Sequence, residues 1–171
     1  MTGRWDDSDR RVVLRSLLMS PLYPSLRAVM YVRASQWAWH RGARPLAHLL
    51  KARAIRTASV EVHPGAQIGP GFALVHGLGV VVGHEVVAGR DLVLHQGVTL
   101  GHGGRHQGQP HLGDGVRIGA GAKVLGPIRI GDGARIGANA VVLADVAPGQ
   151  TVVGVWKKSS GDPVEVSGPK P

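Results

Sequence analysis

Histidine is the residue type best suited to do chemistry in this chain. The 171 residues include nine histidines and no cysteine, so disulfides and thiolate metal sites are excluded. A neutral imidazole can take up a proton near pH 7 or bind a divalent metal. His106 and His111 lie five residues apart, and His76 lies thirty-five residues before His111. Because that pair falls in an irregular, glycine-rich segment, we expect no metal site and favour proton transfer.

Aliphatic residues recur every six positions over most of the chain, and the first run has no break. Neither a helix nor a lone strand produces a strict period of six. A chain that turns a corner every six residues does, with three hexapeptides to a turn. One coil cannot bury its own face, so neighbouring coils must stack on a shared core. The residues of this grid are Val62, Ile68, Leu74, Val80, Val86, Leu92 and Val98, then Leu112, Ile118, Val124, Ile130, Ile136 and Val142.

The residues between the grid positions also favour a solenoid, of about five coils between about 62 and 147. Glycine follows the grid residue at five places, where a tight corner needs a residue without a Cβ. The gap from Val98 to Leu112 is fourteen residues, two more than two hexapeptides. It predicts that residues 101–111 leave the coil as a loop. A β-sandwich with chance spacing is the alternative.

The net charge of +9 is concentrated at the start of the chain. Residues 1–57 contain eleven Lys/Arg and three Asp, which gives +8, whereas residues 58–171 contain nine Lys/Arg and eight acids, which gives +1. The first residues are polar and acidic, unlike a signal peptide. No apolar run approaches the roughly 20 residues that span a bilayer. We therefore expect a cytoplasmic protein.

Three helices are predicted before the solenoid, over about 8–20, 25–40 and 45–55. Two interpretations of this segment stay open. It could be a helical cap that covers the first coil and helps to assemble subunits. It could also be a basic, tryptophan-bearing amphipathic surface, over residues 25–56, that contacts an anionic membrane. Nucleic acid is not an expected partner, because the segment contains no recognised binding module.

Six glycine-rich motifs follow the grid, and they are specific in combination. They are Val62–Ala66, Ile68–Gly71, His76–Gly83, Gly97–Gly101, Ile118–Gly126 and Ile136–Val142. Together they resemble the serine O-acetyltransferase family of left-handed β-helix (hexapeptide-repeat) acyltransferases over about residues 58–156. In length and in the segment 110–113, the chain resembles short exopolysaccharide-type acetyltransferases more closely still.

The resemblance implies a mainly β fold, a left-handed parallel β-helix over residues 58–156. A helical segment would precede it over 1–57, and a disordered tail would follow over 157–171. The resemblance also implies a homotrimer with each active site between two subunits. The implied activity is transfer of an acetyl group from acetyl-CoA to a hydroxyl. A catalytically idle solenoid that serves as a scaffold is the alternative from a different class.

Two residues match the catalytic pair of that family. Its base falls on His76, and its orienting acid, usually Asp, falls fifteen positions earlier on Glu61. A hydroxyl needs a neutral imidazole to take its proton as it attacks a thioester. A carboxylate on the other ring nitrogen would hold the tautomer and stabilise the imidazolium.

The resemblance also implies where acetyl-CoA binds. Lys157 and Lys158 would meet the CoA phosphates as point charges, unless they belong to a solvated tail. The residues whose backbone would line the pantetheine groove are Thr99, Gly101, Ala120, Ala122, Ala138 and Ala140.

Departures from the family pattern predict an acceptor other than free L-serine. Val75 replaces an Asp that, in the family, helps to bind the serine amino group. Gln109 lies where the family has the second residue of an Arg-His pair that binds the serine carboxylate. Arg105 and His106 lie three residues earlier than that pair, and His95 is placed to line the acceptor pocket. We therefore expect a neutral hydroxyl on a sugar or secondary metabolite. The alternative is the L-serine O-acetyltransferase of cysteine biosynthesis.

Overall fold

Two helices and fifteen short strands make up the protein in a computed structural model that describes residues 23–104 and 108–157. Helix α1 spans Pro24–His40 and helix α2 spans Arg44–Ala58. They confirm the helices predicted over 25–40 and 45–55, whereas the one predicted over 8–20 lies outside the described residues. Neither described helix is long and apolar enough to cross a membrane.

Three parallel sheets form the faces of a triangular β-helix. Face A consists of β1 (Val60–Val62), β4 (Val80–Val82), β7 (Thr99–Gly101), β10 (Lys123–Leu125), β13 (Val141–Val142) and β15 (Val155–Trp156). Face B consists of β2 (Gln67–Ile68), β5 (Val87–Ala88), β8 (His111–Leu112) and β11 (Arg129–Ile130). Face C consists of β3 (Ala73–Leu74), β6 (Val93–Leu94), β9 (Arg117–Ile118), β12 (Arg135–Ile136) and β14 (Thr151–Val152). These faces make between four and five turns, confirm the predicted parallel solenoid and are consistent with a left-handed β-helix.

Each hexapeptide sends two side chains into the core, two residues apart. In β1, for example, Val60 and Val62 are buried while Glu61 between them is exposed. The grid residues are one member of each pair. In the second run the other member is often a small residue two positions earlier, such as Val116, Ala122 or Ala134. Burial of an aliphatic side chain contributes roughly 1.5–3 kcal/mol, so the stacked pairs provide the main driving force for the fold.

The first run of the grid hides a change of register. Val62 pairs with Val82, twenty residues later, instead of with Val80 at eighteen. Two extra residues therefore lie in the segment 75–79, between β3 and β4. Spacing alone missed them because Val80 and Val82 both point into the core, so either continues a count of six. The prediction of a first run without a break is wrong in this respect.

The connection between β7 and β8 holds more inserted residues than the spacing predicted, although it is shorter than the predicted loop 101–111. Val81 pairs with Thr99 after 18 residues (99 − 81), but Thr99 pairs with Lys123 after 24 (123 − 99). The turn thus carries six extra residues, one whole hexapeptide, where the spacing indicated two. Gly101 and His111, the ends of the predicted loop, are strand residues.

Helix α1 satisfies carbonyl groups at the open end of the first coil. The Arg33 guanidinium donates to the backbone oxygens of Ile68 and Gly69. The Gln36 amide Nε2 donates to the backbone oxygen of Ala66, at 2.8 Å. Burial lowers the pKa of Arg33 from its ordinary value. The helices therefore cover the first coil, as the cap interpretation expects.

Replacement of Arg33 by Met should lower the free energy of unfolding by about 1–3 kcal/mol, because two carbonyl oxygens lose their donor. Urea denaturation followed by circular dichroism measures the change. Arg53→Met, on the exposed side of α2, is the matched control and should change stability by less than about 0.5 kcal/mol. Equal effects of the two changes would contradict the capping role.

Candidate active site

The predicted catalytic histidine lies on one edge of the β-helix. This C–A edge, where the chain passes from face C to face A, consists of residues 75–79, 95–98, 119–122, 137–140 and 153–154. His76 is exposed on the first of these segments, which is the one that contains two extra residues. Val75 beside it is 44% exposed, and His95 is half-buried on the next segment. The Val75 N–H donates to the Leu94 oxygen at 3.0 Å, so Val75 and His95 lie on consecutive turns.

Two glycines allow the His76 segment to lie close against the first coil. Gly79 has a φ of +72°, in the left-handed region that favours glycine, and its N–H donates to the Ser59 oxygen at 2.9 Å. A Cβ on Gly77 would lie 2.8 Å from Cγ2 of Val60, which leaves no room for a side chain. The sequence His-Gly-Leu-Gly therefore suits a tight excursion that leaves the imidazole at the surface.

Glu61, predicted to orient His76, forms an ion pair with a lysine of α2. It belongs to the outward-facing column of face A, in which Glu61, Val81 and Thr99 stack on successive turns. Its Oε1 lies 2.7 Å from Nζ of Lys51. Within the described part of the chain, no ion pair joins Glu61 and His76 at 4.0 Å or less. The orienting role of Glu61 stays a prediction, and Lys51 competes for the carboxylate.

The predicted acetyl-CoA residues mostly follow the same edge. Ala122 and Ala140 are fully buried, so neither presents a surface to a ligand in the single chain, whereas Ala120 and Ala138 reach the surface. Thr99 lies just after the edge, but Gly101 lies on the far side of face A, at the end of β7. Lys157 is exposed at the end of the described chain, and Lys158 lies outside the described residues.

Lys123 lies at this edge and was not among the predicted site residues. Its Nζ donates to the backbone oxygen of Gly97 at 2.6 Å and to Oγ1 of Thr99 at 3.0 Å. It therefore places a positive charge beside the predicted groove and orients the Thr99 hydroxyl. The grid held part of the signal: Lys123 directly precedes grid residue Val124, so it must face outward, but its place next to Thr99 follows from the register.

Gln109 lies on the other edge of face A and is engaged in internal hydrogen bonds. Among the described residues, this A–B edge consists of residues 63–66, 83–86, 102–104, 108–110, 126–128 and 143–146. The Gln109 Oε1 accepts from the Glu85 N–H at 3.2 Å, and its Nε2 lies 2.9 Å from Nε2 of His102. Because the Glu85 N–H can only donate, it sets the amide orientation, and Gln109 Nε2 must donate to a neutral His102.

Gln109 is therefore an anchor of the loop between β7 and β8, and this corrects its predicted role as an acceptor contact. It is only 4% exposed, and both of its polar atoms have partners within the chain. Arg105 and His106, predicted to contact the acceptor from the same loop, lie outside the described residues.

A column of aromatic rings along the A–B edge was not predicted. His63, His84 and His102 lie on successive turns, with ring centroids 5.5 and 6.4 Å apart. His48 and Trp39 extend the column onto the helices, with centroids 5.9 and 5.2 Å from His63. Spacings of 21 and 18 residues, close to one turn, were the signal that could have revealed it. Among the described residues, no three potential ligands are grouped to hold a metal.

His63 is held in its neutral form. Burial lowers its pKa, the Lys51 charge and two neighbouring histidines lower it further, and Glu61 raises it slightly in return. Its Nδ1 accepts from the Gly65 N–H at 3.0 Å, which also needs a neutral ring. Protonation of His63 should therefore oppose folding.

We expect His63→Asn to weaken the pH dependence of stability. The unfolded chain binds a proton at this histidine near pH 6.5, but the folded chain does so only at lower pH. The unfolded state therefore binds more protons in that window, and stability falls as the pH falls through it. Asparagine can keep an acceptor for Gly65 without titrating. Urea denaturation at about pH 7.5 and about pH 5.5 measures the slope.

The control for this experiment is His111→Asn, which removes an exposed histidine of face B. That variant should keep the wild-type pH dependence. An unchanged slope in His63→Asn would contradict the assignment.

A triangular parallel β-helix of hexapeptides with an exposed histidine at its edge is the architecture of the hexapeptide-repeat transferases. The family described as "Bacterial transferase hexapeptide (six repeats)" matches residues 109–144. A serine acetyltransferase of Mycobacterium tuberculosis is 46% identical over 89 residues, which cover 52% of this chain and 39% of the relative. One of Escherichia coli K12 is 44% identical over 84 residues, 49% of this chain and 31% of the relative.

Solved structures with a similar fold are also named serine acetyltransferases. The serine acetyltransferase of Neisseria gonorrhoeae in complex with serine aligns with a TM-score of 0.74 and 40% identity, over 80% of this chain and 57% of that chain. A serine acetyltransferase in complex with CoA aligns with a TM-score of 0.73 and 38% identity, over 80% and 57%. The chain carries hexapeptide repeats of this transferase family over residues 109–144, and its fold is similar to that of these left-handed β-helix acyltransferases. It spans between about a third and two fifths of the length of these curated relatives.

The expectation of a neutral sugar or metabolite acceptor, and not L-serine, is contradicted by these comparisons. The relatives and the solved neighbours above are named serine acetyltransferases, and one was solved with serine. The physical basis of that expectation is also weaker than it looked. Gln109 is buried and bonded inside the chain, so its identity carries little information about the acceptor.

Proposed function

We propose that this protein is an L-serine O-acetyltransferase that uses acetyl-CoA and acts in the cytoplasm. The observation that carries the proposal is the 40% identity, over 80% of the chain, to a serine acetyltransferase solved with serine. The related structure solved with CoA supports the donor. The exposed His76 on the C–A edge supports the chemistry.

His76 is the general base of the proposed reaction. Its imidazole takes the proton of the serine hydroxyl as that oxygen attacks the carbonyl carbon of the thioester. The tetrahedral adduct then collapses, the C–S bond breaks, and the imidazolium returns the proton to the CoA sulfur. The products are O-acetylserine and CoA. Among the described residues no hydrogen bond occupies the His76 ring, which leaves it accessible to a substrate.

The donor would lie along the C–A edge below His76. There Ala120 and Ala138 reach the surface, and Lys123 donates a hydrogen bond to Thr99 at the start of β7. Lys157 and Lys158 remain candidates for the CoA phosphates. On this proposal the thioester reaches His76 from the following turns of the solenoid.

The acceptor side of the proposed site combines both edges of face A. Val75 and His95 lie next to His76 on the C–A edge, whereas residues 104 and 108, the described ends of the loop whose sequence contains Arg105 and His106, lie on the A–B edge. The described ends of that loop and His76 are therefore on opposite sides of face A. A site that contains both therefore requires the loop of a second subunit, which agrees with the expected homotrimer.

Exposed apolar side chains on face A also support assembly with further copies. In the described solenoid, the large hydrophobic residues counted as exposed all lie on this face or at its two edges. They are Val75, Leu78, Val81, Leu143, Val153 and Val155. Faces B and C present mainly polar side chains such as Gln67, Arg117 and Arg135 instead. An apolar strip of this kind is typical of a surface that is covered in the assembled protein.

The activity is tested by thiol release from acetyl-CoA with L-serine as acceptor, with mass spectrometry to identify O-acetylserine. His76→Asn should lower kcat by about 10²–10⁴-fold, the usual contribution of a general base. His111→Asn, an exposed histidine of face B, should leave kcat unchanged.

Two outcomes would sink the proposal. If L-serine does not stimulate thiol release above the rate with acetyl-CoA alone, the acceptor is wrong. If His76→Asn is as active as His111→Asn, the base is wrong.

Negative charges introduced on face A test whether this face is the interface of the proposed trimer. Val81→Glu with Val155→Glu should shift the sedimentation mass from three chains to one, because two carboxylates would be buried without partners. Ala73→Glu with Thr151→Glu adds the same charge to exposed outward positions of face C, and that variant should remain trimeric. Monomeric wild-type protein, or dissociation of both variants, would contradict this use of face A.

A further inference from the structure

Apart from Val32 and Gln36, the two helices bury mainly small side chains, and they expose several large ones. Their inner sides are lined by Ala28, Ala38, Ala47, Ala54 and Ala58, all buried. On their other sides, Trp37 is 56% exposed, Leu46 is 42% exposed and Leu49 is 54% exposed. A helix that only covers a core would be expected to turn its largest apolar residues inward. No part of the chain that the structure describes covers these three residues, so they are available for a further contact.

The charged residues of the same helical pair, residues 23–58, are all basic. It contains seven Lys/Arg and no Asp or Glu, whereas residues 59–157 are nearly balanced, with seven Lys/Arg and six acids. Lys51 pairs with Glu61, and Arg33 is bound to backbone oxygens. The other arginines have no acidic partner within the described residues.

Exposed apolar and cationic side chains share one surface of each helix. Leu46, Leu49, Arg53 and Arg56 are spaced by three, four and three residues, which places them on one side of α2, and all four are exposed. On α1, the Arg41 guanidinium carbon lies 5.4 Å from the ring centroid of the exposed Trp37. We call these six residues the outer face.

The positive charge of the outer face limits which kind of partner can bind there. A second copy would bring the same arginines against themselves, so self-association through this surface is opposed by repulsion. Insertion across a bilayer does not fit, because no described helix is long and apolar enough. An anionic surface that also takes up Trp and Leu side chains fits both properties.

We propose that the outer face docks on the surface of an anionic lipid bilayer. Trp37 and the two leucines would enter the headgroup region, where aromatic and aliphatic side chains of interfacial helices lie. The arginines would bind the lipid phosphates and keep their charge in water. The β-helix would then stand on the membrane through its helical end, with its edges accessible.

Vesicle flotation with the full chain tests this proposal. The protein should float at low salt with vesicles that contain phosphatidylglycerol, and remain unbound with phosphatidylcholine alone. Arg53→Glu with Arg56→Glu should weaken binding by at least about 30-fold, given the usual contribution of each cation near an anionic surface. Leu49→Ser, which leaves the charge unchanged, should weaken it by roughly tenfold.

The matched control is Arg117→Glu with Arg135→Glu, which makes the same charge change on exposed positions of face C. This control should bind like the wild type. Circular dichroism and serine-dependent thiol release establish that each variant is folded.

Three results would overturn the proposal: no flotation of the wild type with anionic vesicles, an equal loss in the face C control, or unchanged binding of Leu49→Ser. Retention on immobilised polyglutamate without any flotation would also overturn it, and would identify an acidic protein as the partner instead.

Discussion

Hydrogen bonds between successive coils are the interaction on which the rest of this structure depends. Each strand is only two or three residues long, so it cannot persist without partners on the turns above and below it. The first coil has no turn above it, and its carbonyl groups need other donors. Arg33 and Gln36 of α1 supply them at Ile68, Gly69 and Ala66. The helices are therefore part of the solenoid's hydrogen bonding as well as its cover.

The fold could be predicted from the sequence because every turn buries aliphatic side chains at equivalent positions. The six-residue grid correctly placed the aliphatic residues inside, and the helix boundaries came within a few residues. The register could not be predicted, for a physical reason. Each hexapeptide buries two side chains, as Val80 and Val82 do, and a count of sixes cannot tell which of the two it follows. The insertion before His111 was misjudged for a related reason, because a whole added hexapeptide leaves a count of six unchanged.

The candidate site could be predicted only where a short sequence motif determines the local backbone conformation. His76 precedes two glycines that the structure needs, so its motif could be recognised from the sequence. Lys123 and the histidine column depend on which residues stack between turns, and that follows from the register. Gln109 was predicted to be a site residue, but its side chain is bonded to Glu85 and His102. The sequence gives no reason to pair these residues with it.

The turns of this helix are unequal in length: on face A, successive strands are 20, 18, 24, 18 and 14 residues apart (60 to 80, 81 to 99, 99 to 123, 123 to 141 and 141 to 155). The inner core is nevertheless continuous, because each added or missing residue is taken up at a corner. A corner of this solenoid can therefore gain or lose residues without repacking its neighbours. Such a scaffold can acquire new surface segments one at a time, and the excursion that carries His76 is the smallest example within it.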